Sequence, residues 1–318
     1  RTHADEQTAV LRGLSQRWRD VAELSDEALA QQIRDDGVDI LVDLSGHTLG
    51  NRLLVFARRP APLQMTWLGY PTTTGMQSID YRISDAAADP PGVAERYHSE
   101  RLLRLPRSQW CYRPWPGIPP VGPLPAQQQG RVMFGSFNNL SKLNGETLAL
   151  WARVLQALPE SGMTVAGVVD PPGRERIAAA LVAGGAARDQ LRILGRLEEA
   201  EFWRLRSEID IVLDAHPYNG TTTTCEALWS GLPVITLAGA YGAARNTTSL
   251  LRAAGLQELV AQDAAQFLAI ATGLAADLAR LAALRAGMRQ RMLEAGLCDG
   301  ARFTRELEAL YREAWKAW

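Results

Sequence analysis

Ile209-Asp210-Ile211-Val212-Leu213-Asp214-Ala215-His216-Pro217-Tyr218-Asn219-Gly220-Thr221-Thr222-Thr223-Thr224-Cys225-Glu226-Ala227-Leu228-Trp229 settles what kind of sheet this chain builds. Ile209 to Leu213 is a near-continuous apolar run, as expected of a strand buried on both faces. A Pro/Asn/Gly turn follows, then a helix from about Thr222 to Ser230, then a second apolar strand from Pro233 to Leu237. That order is one strand–helix–strand unit of a parallel sheet. Free N–H groups and the positive dipole end at the start of such a helix suit a phosphate, and threonine hydroxyls add donors. Gly220 leaves room for a ligand to approach the backbone. Glu226, one turn beyond Thr222, is spaced to accept two ribose hydroxyls. The same residues also fit an ordinary threonine N-cap followed by a surface Glu.

The alternation continues on both sides. Val132 to Phe137, Met163 to Val169 and Leu191 to Leu194 read as strands, with helices over Glu146 to Leu158, Arg174 to Val182 and Glu198 to Arg206. From Ala264 the chain is mostly helical to Trp315 and Trp318. Nearer the start, Val38 to Leu44 is a strand that stops at Ser45-Gly46, and Gln64 to Leu68, Ile79 to Ser84 and Leu102 to Leu105 are further short strands. Glu6 to Arg34 favours helix, with Asp26 and Glu27 adding negative charge to a first turn. Arg113 to Gly130 carries Pro114, Pro116, Pro119, Pro120, Pro123 and Pro125. It cannot sustain helix or central strand and reads as a semi-rigid linker. The expected organisation is a Rossmann-like N-terminal lobe at 1–112, a Pro-rich linker at 113–130, a Rossmann-like nucleotide-binding lobe at 131–290 and a C-terminal helix at 291–318. A ligand is expected in the cleft, beyond the carboxyl ends of the strands.

With 318 residues, 47% hydrophobic and 22% charged, the chain can fill a core and coat it, which argues against disorder. A net charge of −1 gives no global drive toward nucleic acid or an anionic membrane. Three cysteines without paired spacing argue against a disulfide framework and fit a reducing cytoplasm. No apolar run is long enough to span a bilayer. The histidines His3, His47, His98 and His216 form no HExxH or close ligand cluster, so no metal site is expected. P-loop, GxGxxG and GxSxG motifs are missing, which disfavours P-loop NTPases, NAD enzymes and α/β-hydrolases. No Asp-x-Asp pair occurs, so a nucleotide-sugar site would need a lysine and helix N-termini to neutralise phosphate.

Two other segments carry polar groups where loops leave the sheet. Phe134-Gly135-Ser136-Phe137-Asn138-Asn139-Leu140-Ser141-Lys142 offers an amide at Asn139 and a point charge at Lys142 for a diphosphate. A solvated lysine in a turn fits the same residues. Leu68-Gly69-Tyr70-Pro71 ends a strand with glycine and then proline, exposing backbone groups at the rim, or forms a plain crossover.

Together these segments resemble the catalytic region of the O-linked N-acetylglucosamine transferases, bacterial members above all. The resemblance rests on Arg59-Pro60-Ala61-Pro62 through Leu68-Gly69-Tyr70-Pro71 with Gly75, on Asp80-Tyr81, on Phe137 to Lys142, and on Asn219 to Trp229 followed by Gly231 and Pro233. It implies an α/β fold of GT-B type with the N-terminal lobe incomplete. It also implies inverting, metal-independent transfer of N-acetylglucosamine from UDP-GlcNAc to Ser or Thr of proteins. By position, Lys142 would hold the diphosphate and stabilise departing UDP. Asn139 would lie near the nucleotide, Thr221 would line the UDP-sugar site, Thr222 and Thr223 would bind phosphate, and Glu226 would bind ribose. Leu68, Gly69 and Pro71 would form a sugar-facing rim, with Tyr218 near the sugar.

The sequence departs from the family at Thr221, where a His is usual, at Ser141 for Tyr, and at Phe202 for a His that stacks on uracil. Stacking survives that last exchange. Glu199 replaces a lysine, with Arg196 and Arg204 nearby. The family's upstream tetratricopeptide repeats and Ser-Asp-Phe-Gly-x-His-Pro loop are not in this sequence, so the chain reads as the C-terminal part of a longer protein. No general base and no oligomeric state follow from it. Transfer of another UDP-sugar, and a UDP-sugar-binding module without turnover, stay open as alternatives.

Overall fold

The computed structural model describes residues 5–318; His3 lies outside the described residues. Two compact units emerge: the chain up to Ser84 with Glu95–Arg104 and Glu308–Trp318, and Asp85–Ala94 with Leu105–Leu307.

In the first unit the elements are α1 (Glu6–Leu14), α2 (Asp26–Asp35), β1 (Ile40–Asp43), α3 (Leu53–Ala57), β2 (Leu63–Thr66), β3 (Tyr81–Asp85) and β4 (Arg101–Leu105). The sheet order is β1-β2-β3-β4, with β1, β2 and β3 parallel. Asp5 and Ser25 cap α1 and α2 by accepting the amides of Thr8 and Ala28. The run expected over Val38 to Leu44 contracts because Asp43 folds the chain. Its carboxylate accepts the amides of Ser45 (3.0 Å) and Gly46 (2.8 Å) and the Thr66 hydroxyl (2.8 Å). The strand expected to reach Leu68 stops at Thr66, because Leu68 adopts φ +69° and Gly69 N–H closes a three-residue turn onto Trp67 O at 2.9 Å. Leu63, Met65 and Ile83, on β2 and β3, are fully buried. The short α3 had no sequence signal of its own.

The second unit contains α4 (Pro125–Gln129), β5 (Met133–Ser136), α5 (Gly145–Ala157), β6 (Gly162–Val165), α6 (Pro171–Ala183), β7 (Leu191–Ile193), α7 (Glu199–Ser207), β8 (Ile211–Leu213), α8 (Thr222–Trp229), β9 (Val234–Leu237), α9 (Asn246–Ala253), β10 (Val260–Ala261), α10 (Ala264–Ala276) and α11 (Leu278–Glu294). The last helix, α12 (Gly300–Ala317), begins in this unit and ends in the first. The sheet order is β10-β9-β8-β5-β6-β7, and every pairing is parallel. From β5 the chain builds outward through β6 to β7, then returns to the other side of β5 for β8 to β10. The order therefore reverses between β5 and β8, and the loops leaving those strands diverge there. Open α/β sheets bind ligands at such a point. Trp151, Phe134, Leu213, Ile235 and Phe267 lie in one continuous core.

The proline-rich stretch differs from its expected role as a linker. It lies within the second unit and ends in α4, whose Pro125 sits at the first helical position, where a missing N–H costs no hydrogen bond. Ile118, Leu124 and Ala126 are buried, and the Ala126 amide donates to Asp210 at 2.9 Å. Neither α9 nor β10 was expected. Among the described residues no single helix is long and apolar enough to cross a membrane; α10 with α11 reaches that length only as a pair bent by 94°. Phe267, Leu274, Leu281 and Met288 of that pair are core residues.

Candidate functional site

Asp214, the residue after β8, organises the switch point. Its buried carboxylate accepts the amides of Ala215 and Gly220, both at 2.9 Å, and the Thr236 hydroxyl at 2.9 Å. Its backbone carbonyl receives the Trp151 indole at 3.2 Å. The loop is tied further by Asn219, whose side-chain amide donates to Ala215 O at 2.8 Å. Thr147 joins it to α5, donating to His216 O at 2.6 Å. His216 is thereby a turn residue, with Nδ1 3.3 Å from Leu237 O. A Cβ on Gly220 would sit 2.7 Å from the Thr223 and Thr224 hydroxyls, so this glycine makes room for the loop's own threonines.

The loop after β5 meets this one. Asn139 accepts the Ser141 amide at 3.1 Å and so caps the single turn Leu140–Lys142. From that turn Lys142 donates to Asn219 O at 2.7 Å, and its ammonium lies 4.2 Å from the centre of the Tyr218 ring. Burial lowers the lysine below its ordinary range, and Asp214 partly restores it. Asn139, Lys142, Tyr218 and the start of α8 are thus gathered at one sheet edge.

The start of α8 is uncapped. Thr221 occupies the N-cap position at φ −133° without a side-chain hydrogen bond, and Thr222 is exposed. α5 and α6, by contrast, are capped by Asn144 and Asp170. Uncapped first-turn N–H groups beside a half-buried ammonium are donors of the kind an anion takes.

Glu226 is placed differently from a free ribose acceptor. One carboxylate oxygen, Oε2, is 2.7 Å from Arg206 Nη2, while the side chain keeps 22% of its surface exposed against 1% for the arginine. Burial raises Glu226 and Arg206 opposes the rise. Burial likewise pushes Arg206 down, to about 10, against the pull of Glu226. Phe202 is half-buried, edge-on to Phe137 and Trp203 with centroids 5.5 Å apart in both pairs. Glu199 accepts from the Trp203 indole at 3.3 Å, and Arg196 and Arg204 are exposed. Sequence reading missed Arg206. Its one signal is the four-residue spacing from Phe202, which puts the two on one helix face.

Leu68, Gly69 and Pro71 lie at the carboxyl end of β2 in the first unit. Leu68 is 40% exposed, and a Cβ on Gly69 would overlap the Leu44 carbonyl. The following loop is pinned by Arg82, which donates to Tyr70 O (3.0 Å) and Thr72 O (2.9 Å), and by Glu100, which accepts from Thr73 and Thr74. Among the described residues no group of three His, Cys, Asp or Glu could hold a metal ion.

The model of glycosyl transferase family 41 matches residues 4–111 and 124–307. The chain belongs to that family. The stretch the family 41 model skips, 112–123, lies almost entirely in the proline-rich segment. Among family 41 relatives, a tomato (Solanum lycopersicum) protein described as "probable UDP-N-acetylglucosamine–peptide N-acetylglucosaminyltransferase SPINDLY" is 43% identical over 302 residues, 94% of this chain and 32% of that protein. An Arabidopsis thaliana protein described likewise, SEC, is 30% identical over 310 residues, 95% of this chain and 32% of its own. The O-GlcNAc transferase of Thermobaculum terrenum, solved as a lysine-to-methionine mutant, superposes with a TM-score of 0.93 at 44% identity, over 99% of this chain and 60% of that one. The fold is therefore of GT-B type, as family resemblance implied. The chain spans about a third of the length of the curated relatives it matches.

Proposed function

We propose that this chain supplies the nucleotide-sugar-binding and leaving-group machinery of an enzyme that transfers N-acetylglucosamine from UDP-GlcNAc to Ser or Thr hydroxyls of proteins. One observation carries the reading: the Lys142 ammonium, 2.7 Å from Asn219 O, sits at the switch point beside the uncapped start of α8. The names of the family 41 relatives support the donor and the protein acceptor.

In this reading the acceptor oxygen attacks the anomeric carbon opposite UDP, the bond from that carbon to the β-phosphate oxygen breaks, and the configuration inverts. Negative charge grows on the departing diphosphate. Lys142, the Thr222 and Thr223 hydroxyls and the α8 N–H groups stabilise it in place of a divalent ion. Glu226 Oε1, the oxygen not paired with Arg206, takes a ribose hydroxyl, and Phe202 offers a face to the base.

The test is sugar transfer by the complete protein carrying this chain, with EDTA present, using radiolabelled UDP-GlcNAc, UDP-glucose and a GDP-sugar side by side, next to UDP calorimetry. Transfer from UDP-GlcNAc to a hydroxyl is expected. Preference for another donor would replace the sugar assignment, and UDP binding without transfer from any donor would reduce the protein to a binding module.

A further inference from the structure

Arg206 is one of the most deeply buried charged side chains of the second unit. Its guanidinium is 1% exposed, and removing a charge from water to that degree carries a penalty that one ion pair need not repay. Nη2 reaches Glu226, but Nε and Nη1 have no hydrogen-bond partner among the described residues. In their place stand aromatic rings: Phe202 at 4.5 Å, Phe137 at 4.6 Å and Trp203 at 4.9 Å from the guanidinium carbon. An apolar side chain of similar volume would fill the same space without that penalty. Its presence therefore asks for a role other than stability.

The geometry points to one. Arg206 stands on α7, Glu226 on α8 and Phe137 just after β5, so three elements that meet near the switch point converge on one cation. We propose that Arg206 is the positioning residue of the nucleoside pocket, fixing Glu226 toward a ribose diol and Phe202 toward a stacked base. A lysine could not substitute, because it has no planar face to lie among three rings while donating to a carboxylate. The assignment rests on the nucleotide reading given above. Arg206 itself touches no substrate; it acts through the two side chains it holds.

Calorimetry on the complete protein carrying this chain, with UDP, 2′,3′-dideoxy-UDP and inorganic pyrophosphate, tests it. The native protein is expected to favour UDP over the dideoxy analogue by roughly tenfold or more, as a hydrogen-bonded carboxylate would. Arg206→Met should remove most of that preference while changing pyrophosphate affinity less than about twofold, the size of a surface effect. Arg206→Lys, which keeps the charge and serves if the methionine variant does not fold, should fall in the same direction. Glu226→Gln should show the same collapse, and the double variant should be no worse than either single one. Equal losses for all three ligands would mean general loosening and would overturn the positioning role, as would full preference retained in Arg206→Lys and Arg206→Met. A native protein that does not distinguish UDP from its dideoxy analogue would overturn it together with the Glu226 assignment. Pyrophosphate binding lost in Lys142→Ala would still report the phosphate half separately.

Discussion

Asp43 and Asp214 are the same device used twice with opposite results. Each stands at the carboxyl end of a parallel strand, half-buried β1 for Asp43 and fully buried β8 for Asp214, and each takes a hydroxyl from a threonine on the next strand, Thr66 in register with Asp43 and Thr236 just beyond the Leu213–Ile235 pair. Each carboxylate also gathers the amides of the loop that follows. After Asp43 the turn is closed within three residues. Its neighbours spend their polar groups on one another, with His47 on Thr74 O (2.9 Å) and Thr74 on Glu100. After Asp214 the loop runs on to Gly220, where the carboxylate takes the Gly220 amide, and the helix's own first turn is left uncapped. Satisfying a loop from beneath is what frees the donors above it. The difference between the two strand ends lies in loop length, since the aspartates make nearly identical bonds.

The largest effect expected from that contrast falls on Lys142. Lys142→Ala should cut transfer by the complete protein on the order of 10²–10³-fold, the usual loss of a leaving-group donor, with the melting temperature little changed. Near-native kinetics would remove the lysine from the mechanism. Next come the aspartates as a pair. Asp214→Ala and Asp43→Ala each strand several buried donors, and each should cost about 2–4 kcal/mol in denaturant unfolding. Only Asp214→Ala should also weaken UDP binding, by roughly tenfold or more; equal weakening in both would erase the distinction drawn here. Gly69→Ala forces a Cβ against Leu44 and should destabilise by about 1–3 kcal/mol with UDP affinity unchanged.

The smallest effect is on pH dependence. Burial depresses Lys142, and the charged form is the one that holds a diphosphate. UDP affinity should therefore be full at neutral pH and fall as pH rises through a value below the ordinary lysine range of 10.5. Binding on that alkaline limb should take up a proton, visible as a dependence of calorimetric heat on the buffer. Lys142→Arg should flatten the limb, because guanidinium does not titrate there.

Much of this was legible from contiguous residues. Ile209 to Leu213 announces a strand buried on both faces, and the threonine run announces the helix after it, because each signal is local. The approach of Lys142 to Asn219 is not local: it spans 77 residues and exists only because β8 returns to the far side of β5. Arg206 stayed hidden for a related reason. On α7 it resembles its exposed neighbour Arg204, and only the packing of Phe137 and Glu226 from two other elements turns it inward. Asn246-Thr247-Thr248-Ser249 does not look like the opening of a helix, and α9 forms because those side chains are buried rather than because they favour it. Pro125 misled in the opposite direction, since a proline that excludes a helix interior is well suited to a helix start.

The crossings of the chain set a limit on how it can be divided. Asp85, at the end of β3, accepts from Ala87, Ala88, Gln109 and the Ser249 hydroxyl, while Arg245 holds the Ala87 carbonyl at 2.9 Å. Ten residues from the N-terminal side of the proline stretch are thus woven into the fabric of the C-terminal one. A protease that nicks the backbone near Pro119 should release no free half, and a gene split at that point should yield two fragments that must be co-expressed to become soluble.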